Sequence, residues 1–420
     1  MRNTTAWLDA AVTVHRVSDG RDRASVALLV DAGIADNGIV TQTREWLRQN
    51  GCEVRITAVQ PDSGLTAVRV VMPAVAGARL VVAVGGGSVL DAVKLGTVAV
   101  DNERFRGCLT VPQRGGLVLV PPGTGRTVPL IAIPKTVGTG SETSQVAVVS
   151  NGTSRRLVIG AALRPEARVL DPLATAGLPG YLLIEGLAEI LARVVSPYIG
   201  DHRTLPSEDA LAETVAARLV QLGDLLAADP AHTMHTMHNK DSAALRLDLA
   251  RLSSLSHTEW LARDGNPYAV KGWLLANELA AVTGVRKMTA TVALWPTLWA
   301  HIDRGDTRLG SAARLRGMWA HLRGAHRGEL PDEPAAGIRL LLGSWGLISP
   351  VTASPAQVHA AVHAVNRSWG AGLPMLGGLG LADIRELISA AVASGPVVSG
   401  PAINDRAADV QPVLPSMPVH

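Results

Sequence analysis

The stretch Ala78-Arg79-Leu80-Val81-Val82-Ala83-Val84-Gly85-Gly86-Gly87-Ser88-Val89-Leu90-Asp91 decides the fold. An apolar run of strand length meets three glycines at once and passes into a helical pattern. Glycines let a backbone approach a phosphate closely, and the helix start that follows presents free N–H groups and the positive end of its dipole. Ser88 and Asp91 stand in the S-x-x-D spacing of a capping box for that helix. A tight strand-to-helix turn needs the same glycines. The run is not G-x-G-x-x-G, and it follows the third strand rather than the first.

Working outward, Ala24–Val30 is a continuous apolar run ending in Asp31-Ala32-Gly33, the pattern of a strand covered on both faces. Spacing predicts a helix over Ile39–Gln49 closed by Gly51, a strand over Glu53–Val59, a helix over Ala67–Ala76 interrupted by Pro73, and a strand over Leu130–Ile133. This alternation predicts a parallel sheet with helices on both faces. From Leu182 to about Ser394 the pattern is helical, with segments expected at 182–195, 207–228, 241–262, 268–284, 289–303, 310–324, 335–346, 355–366 and 381–394. The division expected is 1–180 as an α/β dinucleotide-binding domain, 181–399 as an all-helical substrate domain, and 400–420 as a disordered Pro-rich tail. Residues 1–22 read as a loose arm or an edge element.

Composition removes several classes. The 420 residues carry a net charge of +3 with no long basic run, so no nucleic-acid partner is expected. No apolar run reaches the roughly 18 residues of a membrane span. Asp9 breaks the apolar stretch of Met1–His15, so no signal peptide is expected. Two cysteines, Cys52 and Cys108, are too few for a disulfide framework and suit free thiols in the cytoplasm. The aromatics are skewed to nine Trp against one Phe.

Two further segments accompany the glycine loop: Ile133-Pro134-Lys135-Thr136-Val137-Gly138-Thr139-Gly140-Ser141-Glu142, and Leu170-Asp171-Pro172 before Gly177-Leu178-Pro179. In this order they resemble the iron-containing (group III) alcohol dehydrogenase family, with its GGGSxxDxxK, its P-T-T-x-G-T-G-S-E stretch and its LDP segment. The likeness covers about residues 24–180. It implies the architecture shared with dehydroquinate synthase: a nicotinamide-dinucleotide-binding α/β domain facing an all-α domain across a cleft. It also implies roles. Gly85, Gly86, Gly87, Ser88 and Asp91 would form the pyrophosphate loop. Thr136, Thr139 and Ser141 would line the nicotinamide side, with Leu178 nearby. Asp31 would take the adenine-ribose hydroxyls and repel a 2′-phosphate, which makes NAD the expected cofactor over NADP.

The resemblance fails at the metal. The family binds iron or another divalent ion through one Asp and three His. On Gly186-Leu187-Ala188-Glu189-Ile190-Leu191-Ala192-Arg193, Glu189 takes the Asp position and Arg193 a His position. Lys287 takes another, and Trp273 falls on the third. Only Glu189 could ligate, so a family-type iron or zinc site is not expected. His232, His235 and His238 share a spacing of three but read as a polar loop. His257, placed on a helix near the cleft, is the better candidate for chemistry. Lys287 is expected to supply the positive charge that a metal would have given to the substrate oxygen, with Glu189 and Arg193 paired at i, i+4. Seven of the nine Trp follow residue 180, and Trp260, Trp295 and Trp299 lie near Trp273 in sequence, so a cleft rebuilt with indoles is expected.

The function expected is an NAD-dependent oxidoreductase interconverting a secondary alcohol and a ketone. Arg193 and Lys287 would suit a carboxylate, so a hydroxy acid or a peptide or natural-product intermediate, as in daptide-type ribosomal peptide biosynthesis, is a consistent substrate. Two other readings stand beside it: a non-catalytic nucleotide-binding partner protein, and a dehydroquinate synthase-like lyase or cyclase. Family members often assemble, so a homo-oligomer is an open expectation.

Overall fold

The computed structural model describes residues 7–17, 23–111, 115–151, 154–228, 240–262, 269–347 and 350–394. His232, His235, His238 and the 400–420 tail lie outside the described residues. The first half of the chain runs α1 (Leu8–Val17), β1 (Ala24–Asp31), α2 (Gly38–Gln49), β2 (Cys52–Val59), α3 (Leu65–Val75), β3 (Leu80–Gly85), α4 (Gly87–Ala99), α5 (Glu103–Thr110), β4 (Leu117–Leu119), β5 (Leu130–Pro134), β6 (Val146–Asn151), β7 (Ser154–Ile159), β8 (Ala167–Arg168) and α6 (Pro172–Thr175). Strands β2-β1-β3-β5-β8 form one sheet in that order, every pairing parallel.

Side chains alternate across a strand, so a sheet covered on both faces needs apolar residues at every position. β1 shows the division. Ala27 and Leu29 join the core under α3 and α4, while Val26, Leu28 and Val30 join the core under α1 and α2. Chain order reverses between β1 and β3, since β2 lies on one side of β1 and β3 on the other. Such a reversal opens a crevice at the carboxyl ends of the two strands, where α/β sheets take their ligands. Asp31 and Gly85 stand at those two ends.

The N-terminal segment is not a loose arm over its described part. Ala10 and Val14, one helical turn apart, are buried, and the Trp7 ring stacks on Trp46 with centroids 4.7 Å apart. That apolar stripe pins α1 to the sheet. A second, three-stranded sheet, β4-β7-β6, went unread in the sequence.

The helical half contains α7 (Gly180–Gly200), α8 (Pro206–Ala228), α9 (Lys240–Leu255), α10 (Glu259–Ala262), α11 (Lys271–Thr283), α12 (Lys287–Asp303), α13 (Ala312–Ala325), α14 (Pro334–Ser344), α15 (Pro355–Trp369) and α16 (Leu381–Ala391). The helix expected over 241–262 is broken after Leu255. Ser256 and Thr258 turn their hydroxyls back onto the carbonyls of Ser253 and Leu255, at 2.6 and 2.8 Å, and compete with the helical ladder. His257 therefore sits in a turn, not on a helix.

The two halves meet backbone to backbone. A Cβ on Gly138, whose φ is +103°, would lie 2.6 Å from Gly186 Cα, and one on Gly186 would lie 2.5 Å from Val137 O. The loop after β5 is thus seated directly on α7. Gly186→Ala should lower stability by about 1–3 kcal/mol, the usual cost of overpacking. Gly107→Ala in α5, where an added Cβ meets nothing within 4 Å, should be neutral or stabilising. Urea unfolding of the two variants checks the contrast.

Candidate active site

The site is built from two loops at the sheet's carboxyl edge. β3 ends at Gly85, and α4 starts at Gly87 with Gly86 as its N-cap and no side-chain cap. The capping box expected from Ser88 and Asp91 does not form. Asp91 is drawn away by three donors: Ser141 Oγ at 2.5 Å, Val148 N at 2.9 Å and Lys94 Nζ at 3.3 Å. Lys94 is fully buried and also donates to Ser141 O at 3.1 Å and to Val146 O at 2.6 Å. Burial pulls its pKa down, against the pull of Asp91. The first N–H groups of α4 are left without an internal partner.

This network presses the threonine loop, Thr136 to Ser141, onto the glycine turn. A Cβ at Gly87 would lie 2.8 Å from Thr139 Cγ2, and one at Gly86 would lie 3.5 Å from Thr136 Cγ2. Only glycine leaves room at Gly87. The hydroxyls of Thr136 and Thr139 are buried and have no hydrogen-bond partner among the described residues. Orphaned donors beside an uncapped helix start fit a phosphate-bearing ligand. At the neighbouring strand end, Asp31 is buried. Its Oδ1 accepts from Gly33 N at 2.9 Å, and its Oδ2 lies 2.8 Å from Lys135 Nζ.

A cavity of about 560 Å³ opens from this floor toward the helices. Gly87, Ser88, Asp91, Thr139 and Ser141 reach it from the α/β side. Glu189, Arg193, His257 and Lys287 reach it from the helical side. Asp31, Gly85, Gly86, Thr136 and Leu178 do not line it. Leu178 is buried in the helical core instead, Gly85 and Gly86 form the turn beside the cavity, and Thr136 packs against Gly86.

The helical wall holds an ion triad. Lys287, the first residue of α12, donates a short hydrogen bond to Glu189 Oε1, and Arg193 Nη2 lies 3.4 Å from the same oxygen. Arg193 Nη1 also donates to Ser256 Oγ at 3.1 Å, and Lys287 Nζ stands 5.5 Å from the centre of the Trp273 ring. Burial works to raise the Glu189 pKa, but Lys287 and Arg193 outweigh it and hold it below the ordinary carboxylate value. His257 Nε2 lies 2.9 Å from Thr139 O. Burial, reinforced by Arg193, pushes its pKa well below the ordinary imidazole value. A neutral ring donating from Nε2 to that carbonyl satisfies both groups, so His257 holds the threonine loop and is not free to shuttle protons.

The donor set does not fit a family-type metal. The one carboxylate at the old ligand positions is engaged by two cations, and the remaining positions carry Arg193, Lys287 and Trp273. Among the described residues no group of three or more His, Cys, Asp or Glu could hold an ion. The rebuilding with indoles is smaller than expected. Trp273 and Trp295 line the cavity, Trp260 is exposed, and Trp299 packs between Trp295 and Trp319 in the core. Other tryptophans fill seats made by glycines. A Cβ at Gly337 would lie 1.9 Å from the Trp319 ring, and one at Gly223 would lie 2.4 Å from the Trp345 ring.

Sequence reasoning missed Arg155, on the hairpin β6–β7, and Asn277, on α11, both on the cavity wall. A signal for the hairpin existed. Gly152-Thr153, a Gly-X pair of the kind two-residue hairpin turns favour, stands in the sequence between two apolar-rich runs. Nothing comparable marks Asn277.

A sheet with a glycine turn at its switch point, facing a helical half across a cavity, defines the class of protein. Residues 9–172 match the family model described as iron-containing alcohol dehydrogenase. Long-chain-alcohol dehydrogenase 1 of Geobacillus thermodenitrificans is 30% identical over 208 residues, 46% of this chain and 48% of that protein. NADH-dependent butanol dehydrogenase A of Clostridium acetobutylicum is 24% identical over 334 residues, 77% of this chain and 80% of that protein. The first of these matches thus spans about half the relative's length. The solved structure of NADH-dependent butanol dehydrogenase A from Thermotoga maritima superposes with a TM-score of 0.73 at 18% identity, covering 93% of this chain and 96% of that one. The α/β half thus resembles the iron-containing alcohol dehydrogenases, and the fold of the whole described chain is the one those solved structures share.

The triad makes a pH-dependent prediction. Glu189 is held below its unfolded pKa, so its contribution is present above the ordinary carboxylate value and is lost as pH falls through the lower folded value. Glu189→Gln should cost at most about 3 kcal/mol near neutral pH, because Lys287 keeps 28% of its side chain exposed. The variant should also lose less stability than the parent on acidification. Glu189→Gln combined with Lys287→Met should recover part of the loss. Unfolding midpoints across a pH series measure all three effects.

Proposed function

We propose that this protein is a nicotinamide-dependent oxidoreductase that interconverts a secondary alcohol and a ketone, with NAD as its cofactor, and that it works without a metal. One observation carries the reading. A single cavity joins the uncapped, threonine-lined helix start of α4 to a half-buried ion triad with one surplus positive charge. When bound, the nicotinamide supplies the hydride donor or acceptor.

The chain's own residues do the rest. Gly86 and Gly87 let the backbone approach the pyrophosphate, and the free N–H groups of α4 and the two orphaned hydroxyls bond it. Lys287 holds its proton at Nζ and directs its field at the substrate oxygen, which stabilises the alkoxide that develops as hydride leaves. Glu189 fixes that ammonium in place, and Arg193 supplies the second positive charge that keeps the triad cationic. His257 closes the floor by bonding Thr139 O. Trp273, Trp295, Met288 and Leu298 give the cavity its apolar wall and exclude water.

The charge balance supports an acidic substrate. Three cations, Arg155, Arg193 and Lys287, line the cavity against two carboxylates, Asp91 and Glu189, and Asp91 is already matched by Lys94. A hydroxy acid, or a carboxylate-bearing peptide or natural-product intermediate, suits that excess. No described helix is long and apolar enough to cross a membrane. Neither Cys52 nor Cys108 is joined in a disulfide, which suits the reducing cytoplasm in which we place the protein.

The test combines three measurements on the purified protein. Calorimetry should detect NAD binding, metal analysis should find no stoichiometric iron or zinc, and a screen of hydroxy acids and secondary alcohols should find NADH formation that a chelator does not abolish. On the best substrate Lys287→Ala should lower kcat by roughly 10²-fold or more, the scale of losing one preorganised charge donor. Stoichiometric metal or unchanged turnover overturns the proposal. NAD binding without hydride transfer to any member of the screen favours a non-catalytic nucleotide-binding protein.

A further inference from the structure

The carboxylate at the end of β1 is not free. Asp31 is the residue expected to hold the ribose hydroxyls and to repel a 2′-phosphate, yet its Oδ2 lies 2.8 Å from Lys135 Nζ. Lys135 stands directly after Pro134, at the position where the P-T-T-x-G-T-G-S-E stretch carries its first threonine. Its own N–H donates to Gly85 O at 2.9 Å, which pins its backbone beside the glycine turn. From there the side chain crosses the crevice. Its Cε lies 3.7 Å from where a Cβ on Gly86 would be, and its Nζ lies 3.9 Å from where a Cβ on Gly33 would be. The ammonium therefore sits over the β1–β3 switch point, between the acidic strand end and the phosphate-binding turn. Its side chain keeps 24% exposure while Asp31 keeps 1%.

We infer that Lys135 sets the cofactor specificity of this site: by neutralising Asp31 it admits a 2′-phosphate, so that the protein binds NADP as well as NAD. The inference rests on the dinucleotide reading above. A lone carboxylate excludes a phosphate by like-charge repulsion, and an ion pair removes that repulsion. An ammonium has three N–H donors, and its contact with Asp31 is an ion pair and not a hydrogen bond, so they can turn to phosphate oxygens. The ribose diol is not shut out either. A carboxylate offers about four acceptor positions; Gly33 N occupies one on Oδ1, and Oδ2 accepts no hydrogen bond among the described residues. Specificity is a difference of affinities, and this pair brings the two affinities together.

The experiment is separate titration of the full-length protein with NAD and with NADP, read by calorimetry and needing no turnover. In the parent protein the two Kd values should agree within about tenfold. Lys135→Thr should weaken NADP at least about tenfold more than NAD, because it leaves Asp31 facing the phosphate alone. Lys135→Arg should keep the parent ratio, and Asp31→Asn should tilt it toward NADP. Should Lys135→Thr not fold, the double variant Asp31→Asn/Lys135→Thr carries neither buried charge and should still bind NADP more weakly than Asp31→Asn alone. A parent protein that prefers NAD by about 100-fold or more, or a ratio unmoved by Lys135→Thr, overturns the inference and leaves the oxidoreductase reading standing. Failure to bind either dinucleotide overturns both.

Discussion

The buried ammonium of Lys94 is the constraint on which the site depends. An isolated lysine with no exposure would cost several kcal/mol in desolvation. Here it meets the Asp91 carboxylate, the Ser141 hydroxyl and the carbonyls of Ser141 and Val146. Those partners come from α4, from the threonine loop and from the first residue of β6. Satisfying one cation therefore joins three pieces of chain. It also settles what α4 does with its N-terminus. Asp91, the fifth residue of α4, lies beyond its first turn and is committed to Lys94, Ser141 and Val148 N, while the Gly86 N-cap has no side chain, so the helix start is left open.

The same loop carries the contact with the helical half. Gly138 lies against Gly186, Gly138 N donates to Ser253 Oγ at 3.2 Å, Ser254 Oγ donates to Glu142 at 2.6 Å, and His257 meets Thr139 O. A segment held at one end by a buried ion pair and along its length by α7, α9 and the 256–258 turn has little freedom to adjust. Both the unpartnered Thr136 and Thr139 hydroxyls and the cavity floor are therefore held in place by contacts within the protein itself. His257 belongs to this scaffold. Its burial, its bond to Thr139 O and the neighbouring Arg193 all favour the neutral ring, which suits a structural tie better than an acid.

Much of this was legible in the sequence, for a physical reason. Strands covered on both faces must be apolar at every position, so Ala24–Val30 and Leu80–Val84 could be read without their neighbours. A glycine at Gly87 is required because Thr139 leaves no space for a side chain, and that kind of requirement marks a sequence visibly. The break after Leu255 was less visible, because serine and threonine hydroxyls bond back to the backbone only where the tertiary setting favours a turn. α1 was missed because two alanine-sized and valine-sized contacts and one indole carry its docking, a weak periodic signal in a ten-residue helix. Arg155 and Asn277 could not be placed at all, since their membership of the cavity depends on how the hairpin and α11 meet across the two halves.

The pairing of Lys135 with Asp31 and the triad around Glu189 follow one electrostatic logic. In each, a carboxylate meets a lysine from a different element: the loop after β5 in the first, the start of α12 in the second. Neither lysine could be assigned a partner from spacing, because each lies about a hundred residues from its acid. The consequence is a change of sign. Where the resembled pattern places a bare carboxylate toward a ribose and one Asp with three His toward a metal, this chain presents a neutral pair and a cationic triad. Both changes act in the same direction, and both favour the anionic ligands proposed above: a phosphate at one end of the cleft, a carboxylate at the other. The excess of cations around the cavity then reads as one property of the cleft and not as two separate substitutions.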